Sequence, residues 1–257
     1  MRRSAYGNIL EISSLASKIL LESGAEISRV ELTARHICRA YGLDHCECFA
    51  SPTAIMISVI GKNGEVHSVV RRITKRSVNL RKVELVNEFS RNISRESTDF
   101  EVIKDKLIRI DQLPPRSLPF MVLVAAAGTA AFTQVFGGSL QDILWGFFAG
   151  GLVHLIVTWM SSRDAGSFLT NLIGGAGCAL AAWFFTGLGL GGDWWIVTIS
   201  ALMLLVPGML MTNAFRDLAA GDFVSGLSRG AEALCIAVSL AGGAAVVIVT
   251  LQLGGMG

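Results

Sequence analysis

The stretch WWIVTISALMLLVPGMLMT, residues 194–212, is apolar and long enough to cross a membrane, and it decides the fold class. Four more apolar runs follow residue 118, and each approaches the roughly 20 residues that span a hydrocarbon core of about 30 Å. They lie at about residues 119–136, 143–160, 168–188 and 233–253. The first of these four is the shortest and also fits a buried helix of a soluble domain. The sequence therefore predicts a membrane α-helical fold with five transmembrane helices.

Charge is unevenly distributed along the 257 residues, of which 52% are hydrophobic and 16% are charged. Residues 1–118 hold 19 of the 22 Lys and Arg residues and 14 of the 20 Asp and Glu residues. So apolar a chain is not an ordinary soluble domain, and most of its charges belong to one part of it. We therefore expect a cytoplasmic α/β domain at residues 1–113, a Pro-rich linker at 114–119 and a transmembrane domain at 120–257.

Helices are predicted at both ends of the first region. Apolar residues recur there at helical spacing, and Gly24 and Gly42 end the first two amphipathic runs. The four predicted helices cover about residues 9–20, 30–40, 79–95 and 98–111.

Between these helices the pattern becomes that of strands. The runs CECFASPTAIMISVI (46–60) and GKNGEVHSVVRRI (61–73) are rich in β-branched residues, and Asn63-Gly64 between them favours a tight hairpin. Pro52 would interrupt a central strand, so we expect it at a strand start, a bulge or an edge.

The segment DHCEC, residues 44–48, suggests zinc because thiolate and imidazole are the usual ligands of that metal. In a strand, however, Cys46 and Cys48 share one face while His45 and Glu47 point to the other. No second Cys-x-x-Cys pair follows, so buried thiols are favoured over a metal site. The chain has five cysteines, an odd number, which indicates free thiols in a reducing compartment.

The few basic residues after residue 118 predict the orientation. Arg163 lies between the second and third spans, and Arg216 and Arg229 lie between the fourth and fifth. The positive-inside rule then places residues 1–118, with the N-terminus, in the cytoplasm and the C-terminus on the other side of the membrane. The basic run at residues 71–76 has no interleaved aromatic residues, so it indicates a solvated face or contact with anionic lipid rather than with nucleic acid.

Small residues are frequent in the predicted spans, at Gly146 and Gly150, in residues 174–177 and in residues 241–245. Such residues let helix backbones approach closely in lipid, which favours tight packing within the chain or an oligomer. The general abundance of Gly and Ala in membrane helices is the alternative explanation.

Polar side chains inside spans are costly and therefore informative, and Gln134, His154 and Asn171 are candidates for a substrate pathway. His154 has the chemistry of a proton relay, although a neutral imidazole bonded to a neighbouring helix is the favoured interpretation. Asp142 and Asp193 precede two spans, where N-capping explains them.

The fourth span carries Pro207-Gly208, which predicts a kink or break because proline has no N–H for the helix ladder. A second half-helix would then point its positive end into the membrane, where a carboxylate could bind. A simple proline kink followed by ordinary cytoplasmic charges is the alternative. The polar residues behind the break that we add to the candidate pathway are Asn213, Arg216, Asp217, Asp222 and Arg229.

Three segments carry a family resemblance: SGAEISRVELTARHICRAYGL (23–43), FASPTAIMISV (49–59) and LLVPGMLMTNAFRDLAAGDFVSGLSRGAEA (204–233). With them the chain resembles, from about residue 9 to 249, the large component of the threonine/serine exporter family, including a two-component branch implicated in succinate export. The resemblance implies an inner-membrane exporter of small amino acids or dicarboxylates, coupled to ion gradients. It also implies half of a split transporter that needs a small membrane subunit, in a homo- or hetero-oligomer.

The leading hypothesis is thus a transporter subunit in which the break at Pro207 and Gly208 helps to bind a carboxylate-bearing metabolite. Asp217 and Arg229 are expected to pair and to position the cytoplasmic end of the pathway. A membrane-anchored metabolite sensor or regulatory scaffold is the alternative. No catalytic constellation or cofactor motif is present, so an enzyme is not favoured. The pathway residues are inferred from the broken helix, not from the family.

Overall fold

The computed structural model describes residues 5–61, 63–93, 99–163, 165–188 and 192–254. The chain forms two compact units. The first comprises Met1–Pro114 with Met209–Gly230, and the second comprises Pro115–Gly208 with Ala231–Gly257. Residues 209–230, which the sequence analysis grouped with the membrane spans, thus pack with the N-terminal region.

The elements before Pro114 are α1 (Ala5–Glu22), α2 (Ile27–Ala40), β1 (Cys46–Ser51), β2 (Ala54–Ile60), β3 (Val66–Arg72), α3 (Leu80–Asn92) and α4 (Phe100–Asp111). The elements after it are α5 (Leu118–Val135), α6 (Leu140–Ser161), α7 (Ser167–Thr186), α8 (Trp194–Met203), α9 (Gly208–Ala219) and α10 (Phe223–Leu253). The four helices and the hairpin predicted for the N-terminal region are confirmed. Residues 94–98, which include the predicted ends of two helices, lie outside the described residues.

The core of the first unit forms around α1. This helix packs against α2, β2, β3, α3 and α4, and its apolar side chains are almost fully buried. Gly24 and Gly42 have φ angles of 87° and 77°, a region that favours glycine, so both glycines end helices as predicted.

The sheet is antiparallel in the order β1-β2-β3. Residues 46–60 form two strands, with Pro52 and Thr53 in the turn between the paired residues Ser51 and Ala54. Pro52 was expected at a strand start, a bulge or an edge, and it lies instead in a turn. A two-residue connection tolerates proline, which has no N–H to give to a ladder. Gly64 has a φ of 80° in the turn between β2 and β3, as predicted.

The cysteines of β1 lie on its buried face together with Cys38 of α2, while Glu47 is exposed. The prediction of buried thiols in a strand is confirmed. Burial raises the pKa of the Cys48 thiol to about 12, so this side chain is a protonated, apolar part of the core. Within the described ranges, no group of three or more His, Cys, Asp or Glu residues is placed to hold a metal ion.

The second unit is helical. Of the described helices, four are long and apolar enough to cross a membrane, and a fifth span exists if α8 and α9 together count as one bent span. The first span begins at Leu118, because Pro119 fits the first turn of a helix, so two residues assigned to the linker are helical. The last helix begins at Phe223 and not near 233, since the polar segment before residue 233 is itself helical.

Two spans begin with the caps that the sequence predicted. Ser139 and Asp142 form a capping box at the start of α6. Asp142 Oδ1 also accepts a hydrogen bond of 2.6 Å from the N–H of Asp193, whose own carboxylate caps α8. N-capping thus accounts for both acidic residues.

Close helix packing around small residues is confirmed in the second unit. A Cβ atom on Gly175 would overlap the Leu240 carbonyl group, and one on Gly243 would overlap the Leu172 carbonyl group. In contrast, large apolar side chains such as Phe148, which is 47% exposed, lie on the outside of the helices. Small residues inside and large apolar residues outside are typical of helices that pack in lipid.

Candidate functional site

The fourth predicted span breaks where the sequence analysis expected. Helix α8 ends at Met203, and the N–H of Val206 still donates to the Leu202 carbonyl at 3.2 Å. Pro207 has no N–H, and the Gly208 N–H donates to the carbonyl of Val206 at 2.8 Å, so the ladder does not continue. Helix α9 then starts at Gly208. The predicted break is confirmed.

The polar residues behind the break hold the turn between α1 and α2. Asn213 Nδ2 donates to the carbonyl oxygen of Gly24 at 3.0 Å, and Arg229 Nη2 donates to that of Ala25 at 2.8 Å. Both acceptors lie just beyond the C-terminal end of α1, where carbonyl groups lack helical partners and a cation is favourable. These two carbonyl groups are therefore hydrogen-bonded by side chains that lie 189 and 204 residues away in sequence.

The turn itself leaves little space. Gly24 has a positive φ, and a Cβ atom there would meet the Ser77 carbonyl oxygen at 3.3 Å. The N–H groups of Ser77 and Asn79 donate to the two preceding carbonyls, those of Glu22 and Ser23, at 2.8 and 3.1 Å. Four successive carbonyl groups are thus bonded, which fixes the path of the chain from α1 into α2.

Asp217 caps the start of α2 from a distance in sequence. Glu26 occupies the N-cap position, but its side chain makes no capping hydrogen bond. Instead, Asp217 Oδ1 accepts from the N–H of Ile27 at 3.3 Å, which places a carboxylate at the positive end of the helix.

The Asp217 carboxylate also pairs with an arginine. Its Oδ2 atom lies 3.3 Å from Arg229 Nε, and the two side chains are only 2% and 4% exposed. The pairing of Asp217 with Arg229 that the sequence analysis proposed is therefore present. Because both charges are almost fully removed from water, loss of either side chain would leave the other charge buried without a counter-charge.

Arg216 completes the group by pairing with Glu26, which explains why Glu26 does not cap its own helix. The Arg216 side chain is 60% exposed, so this outer ion pair is worth little compared with the buried one. We call Asn213, Arg216, Asp217 and Arg229 the turn clamp. All four members and the turn belong to the first unit.

Of the other candidate residues, Asp222 contacts the turn clamp, and the remaining ones belong to the second unit. Asp222 is half-buried in the connection between α9 and α10, where its N–H donates to the Asp217 carbonyl at 2.8 Å. In the second unit, Asn171 Nδ2 donates to the carbonyl and hydroxyl of Ser167 at 2.8 and 3.2 Å, within one helix. His154 is half-buried in α6 and Gln134 is exposed on α5.

The sequence analysis missed the partners of the turn clamp, which are Gly24, Ala25, Glu26 and Ile27. The sequence did contain a signal for the importance of this turn, because SGAEI (23–27) belongs to one of the three segments that carry the family resemblance. Periodicity alone could not connect this turn with α9, since the two are about 190 residues apart.

Comparison with known proteins identifies the family of this chain. The family described as "Putative threonine/serine exporter" matches residues 11–251. The chain belongs to this family. With its apolar helices, the chain is therefore a multi-pass membrane protein of a transporter family.

Members of the threonine/serine exporter family differ in length. The "Probable succinate transporter subunit YjjP" of Klebsiella aerogenes is 28% identical over 238 residues, which cover 86% of this chain and 88% of that protein. The "Probable threonine/serine exporter" of Mycobacterium tuberculosis is 21% identical, and the "Threonine/serine exporter" of Corynebacterium glutamicum is 23% identical. Each match covers 90% of this chain but only 44% and 49% of those longer relatives. No solved structure matches the chain.

Proposed function

We propose that this chain is the large subunit of a secondary transporter in a bacterial inner membrane, which exports threonine and serine or a C4-dicarboxylate such as succinate. The observation that carries the proposal is the family match over residues 11–251. The substrates in the names of these relatives share a carboxylate, which supports small carboxylate-bearing metabolites as the substrate class.

A second subunit belongs to the proposal. The Klebsiella relative, of nearly the same extent as this chain, is named as a subunit, whereas this chain spans about half of the longer exporters. A small membrane protein that completes the transporter, in a hetero-oligomer or with further copies of this chain, is consistent with both observations.

The proposed orientation has residues 1–113 in the cytoplasm and the C-terminus outside. It rests on the positive-inside rule and on five crossings, with α8 and α9 counted together.

The proposed pathway passes the break at Pro207 and Gly208. The N–H of Gly208 already donates to the Val206 carbonyl, so in this proposal a carboxylate of the substrate accepts from the N–H groups that follow Gly208 in the first turn of α9. The turn clamp and Asp222 position the cytoplasmic end, while Gln134, His154 and Asn171 contribute polar groups along the spans. In this proposal the clamp acts by holding α9 and not by touching substrate.

The test is export of labelled threonine, serine and succinate from cells with and without the chain, in the presence of a small membrane protein that is a candidate second subunit. We expect one of the three to leave faster when both proteins are present. Pro207→Ala, which permits a continuous helix, should slow export, whereas Pro115→Ala in the exposed linker should not. Unchanged efflux of all three metabolites would remove the transport proposal and favour a sensor.

A further inference from the structure

A basic groove lies on the first unit between α2 and the C-terminal end of α3, away from the turn clamp. Its volume is about 310 Å³, at the lower limit of small-ligand sites. Four arginines and a histidine contribute to its lining, with no acidic residue among the lining groups. The cationic members are Arg29, Arg35, Arg39, Arg91 and His36.

Most of this positive charge is not neutralised by the protein. Arg35 Nη2 lies 3.5 Å from a carboxylate oxygen of Glu31, one turn earlier on α2. The side chains of Arg29, Arg39 and Arg91 form no ion pair or hydrogen bond with any residue that the structure describes. Three exposed guanidinium groups therefore converge on one groove without a counter-charge from the described part of the chain.

The rest of the lining offers few further hydrogen-bond donors. Leu32 is the only large aliphatic side chain among the lining residues. Thr33 and Ser90 are each only about 6% exposed, and Ser90 Oγ already donates to the Asn87 carbonyl at 2.9 Å. The arginines are thus the principal donors available to a ligand.

We propose that this groove binds a small soluble polyanion that carries at least two linked phosphate groups, such as a nucleoside diphosphate or triphosphate. Guanidinium groups match phosphate oxygens with two parallel hydrogen bonds, and several of them balance the multiple charge of a diphosphate. A lipid headgroup offers the same phosphate chemistry, and the experiment below distinguishes it from a soluble polyanion. The site would make transport or sensing responsive to phosphorylated metabolites.

Calorimetric titration of inorganic pyrophosphate into the full chain in neutral detergent, at constant ionic strength, tests the proposal. We expect saturable binding of one pyrophosphate per chain. Arg29→Ala and Arg39→Ala should each weaken it by about tenfold, because each removes charge-assisted hydrogen bonds. The matched control is the double variant Arg81→Ala/Arg109→Ala, which removes two exposed arginines outside the groove and should bind pyrophosphate normally.

Three results would overturn the proposal. Equal weakening in the control variant would mean unspecific attraction by net charge, and equal affinity for succinate would mean that linked phosphates are not recognised. The third is a chain that does not bind pyrophosphate but binds vesicles containing phosphatidylglycerol, with vesicle binding lost in Arg29→Ala and Arg39→Ala. That result would assign the groove to lipid. Arg91→Ala, on α3, repeats the test if a change on α2 prevents folding. Binding is measured without export, so its failure leaves the transport proposal intact.

Discussion

Removal of the Asp217 carboxylate should destabilise the first unit strongly. In Asp217→Ala the Arg229 guanidinium stays 4% exposed and keeps its bond to the Ala25 carbonyl, but it loses its counter-charge. The N–H of Ile27 at the start of α2 loses its acceptor as well. Breaking a buried pair from one side costs about 3–5 kcal/mol.

A loss of about 3 kcal/mol lowers the melting temperature of a unit of this size by roughly 6–12 °C. The assay is thermal unfolding of the purified chain in detergent, followed by circular dichroism. Asp105→Ala on the exposed face of α4 is the matched control, and it should change stability by less than about 0.5 kcal/mol.

The double variant Asp217→Ala/Arg229→Ala makes the prediction sharper. Once both charges are gone, neither is left buried alone, so the double variant should be less destabilised than the sum of the two single variants. A single Asp217→Ala variant that melts within 1 °C of the unaltered chain, or strictly additive effects, would show that the pair does not hold the turn.

Two further predictions concern packing and pH. Gly243→Ala forces a Cβ atom into the Leu172 carbonyl group and should cost about 1–3 kcal/mol in the same melting assay. The control is the adjacent Gly242→Ala, whose Cβ atom would meet Leu172 Cδ1 at an ordinary 3.7 Å and should cost almost nothing. Equal effects of the two variants would refute the close contact. Burial raises the pKa of Glu31 despite its bond from the Ala50 N–H and its Arg35 partner. A carboxyl whose folded pKa exceeds its unfolded value near 4.3 stabilises the fold below that value and loses this contribution as pH rises through the folded pKa. Melting curves at pH 4 and pH 7 should therefore show Glu31→Gln gaining stability relative to the unaltered chain at the higher pH, and no change between the two would contradict the assigned shift.

The apolar periodicity of the sequence was sufficient to predict the helices, and Pro207 and Gly208 were sufficient to predict the break in the fourth span. Gly24, Gly42 and Asn63-Gly64 predicted the ends of elements correctly, because positive φ angles and lost donors are local properties. The Pro52-Thr53 turn was missed, since a two-residue connection leaves the β-branched pattern on both sides unchanged.

The interactions of the turn clamp could not be predicted in the same way. The sequence showed that many polar residues follow Pro207 and that Asp217 and Arg229 carry opposite charges. Which turn these groups would meet depends on tertiary packing between segments about 190 residues apart, and no periodicity reports that. The basic groove was likewise hidden, because its arginines come from α2 and α3.

The contacts between α7 and α10 restrict how the membrane helices can rearrange. Leu172 meets Gly243 and Leu240 meets Gly175, so the two antiparallel helices touch reciprocally, backbone against backbone. Sliding α10 by one turn, about 5.4 Å, would bring Ser239 or Val247 to the place of Gly243, and a Cβ atom would enter a space that only hydrogen atoms now occupy. The close contact between α7 and α10 therefore opposes sliding of one helix past the other, whereas rotation about the contact keeps both glycines in place.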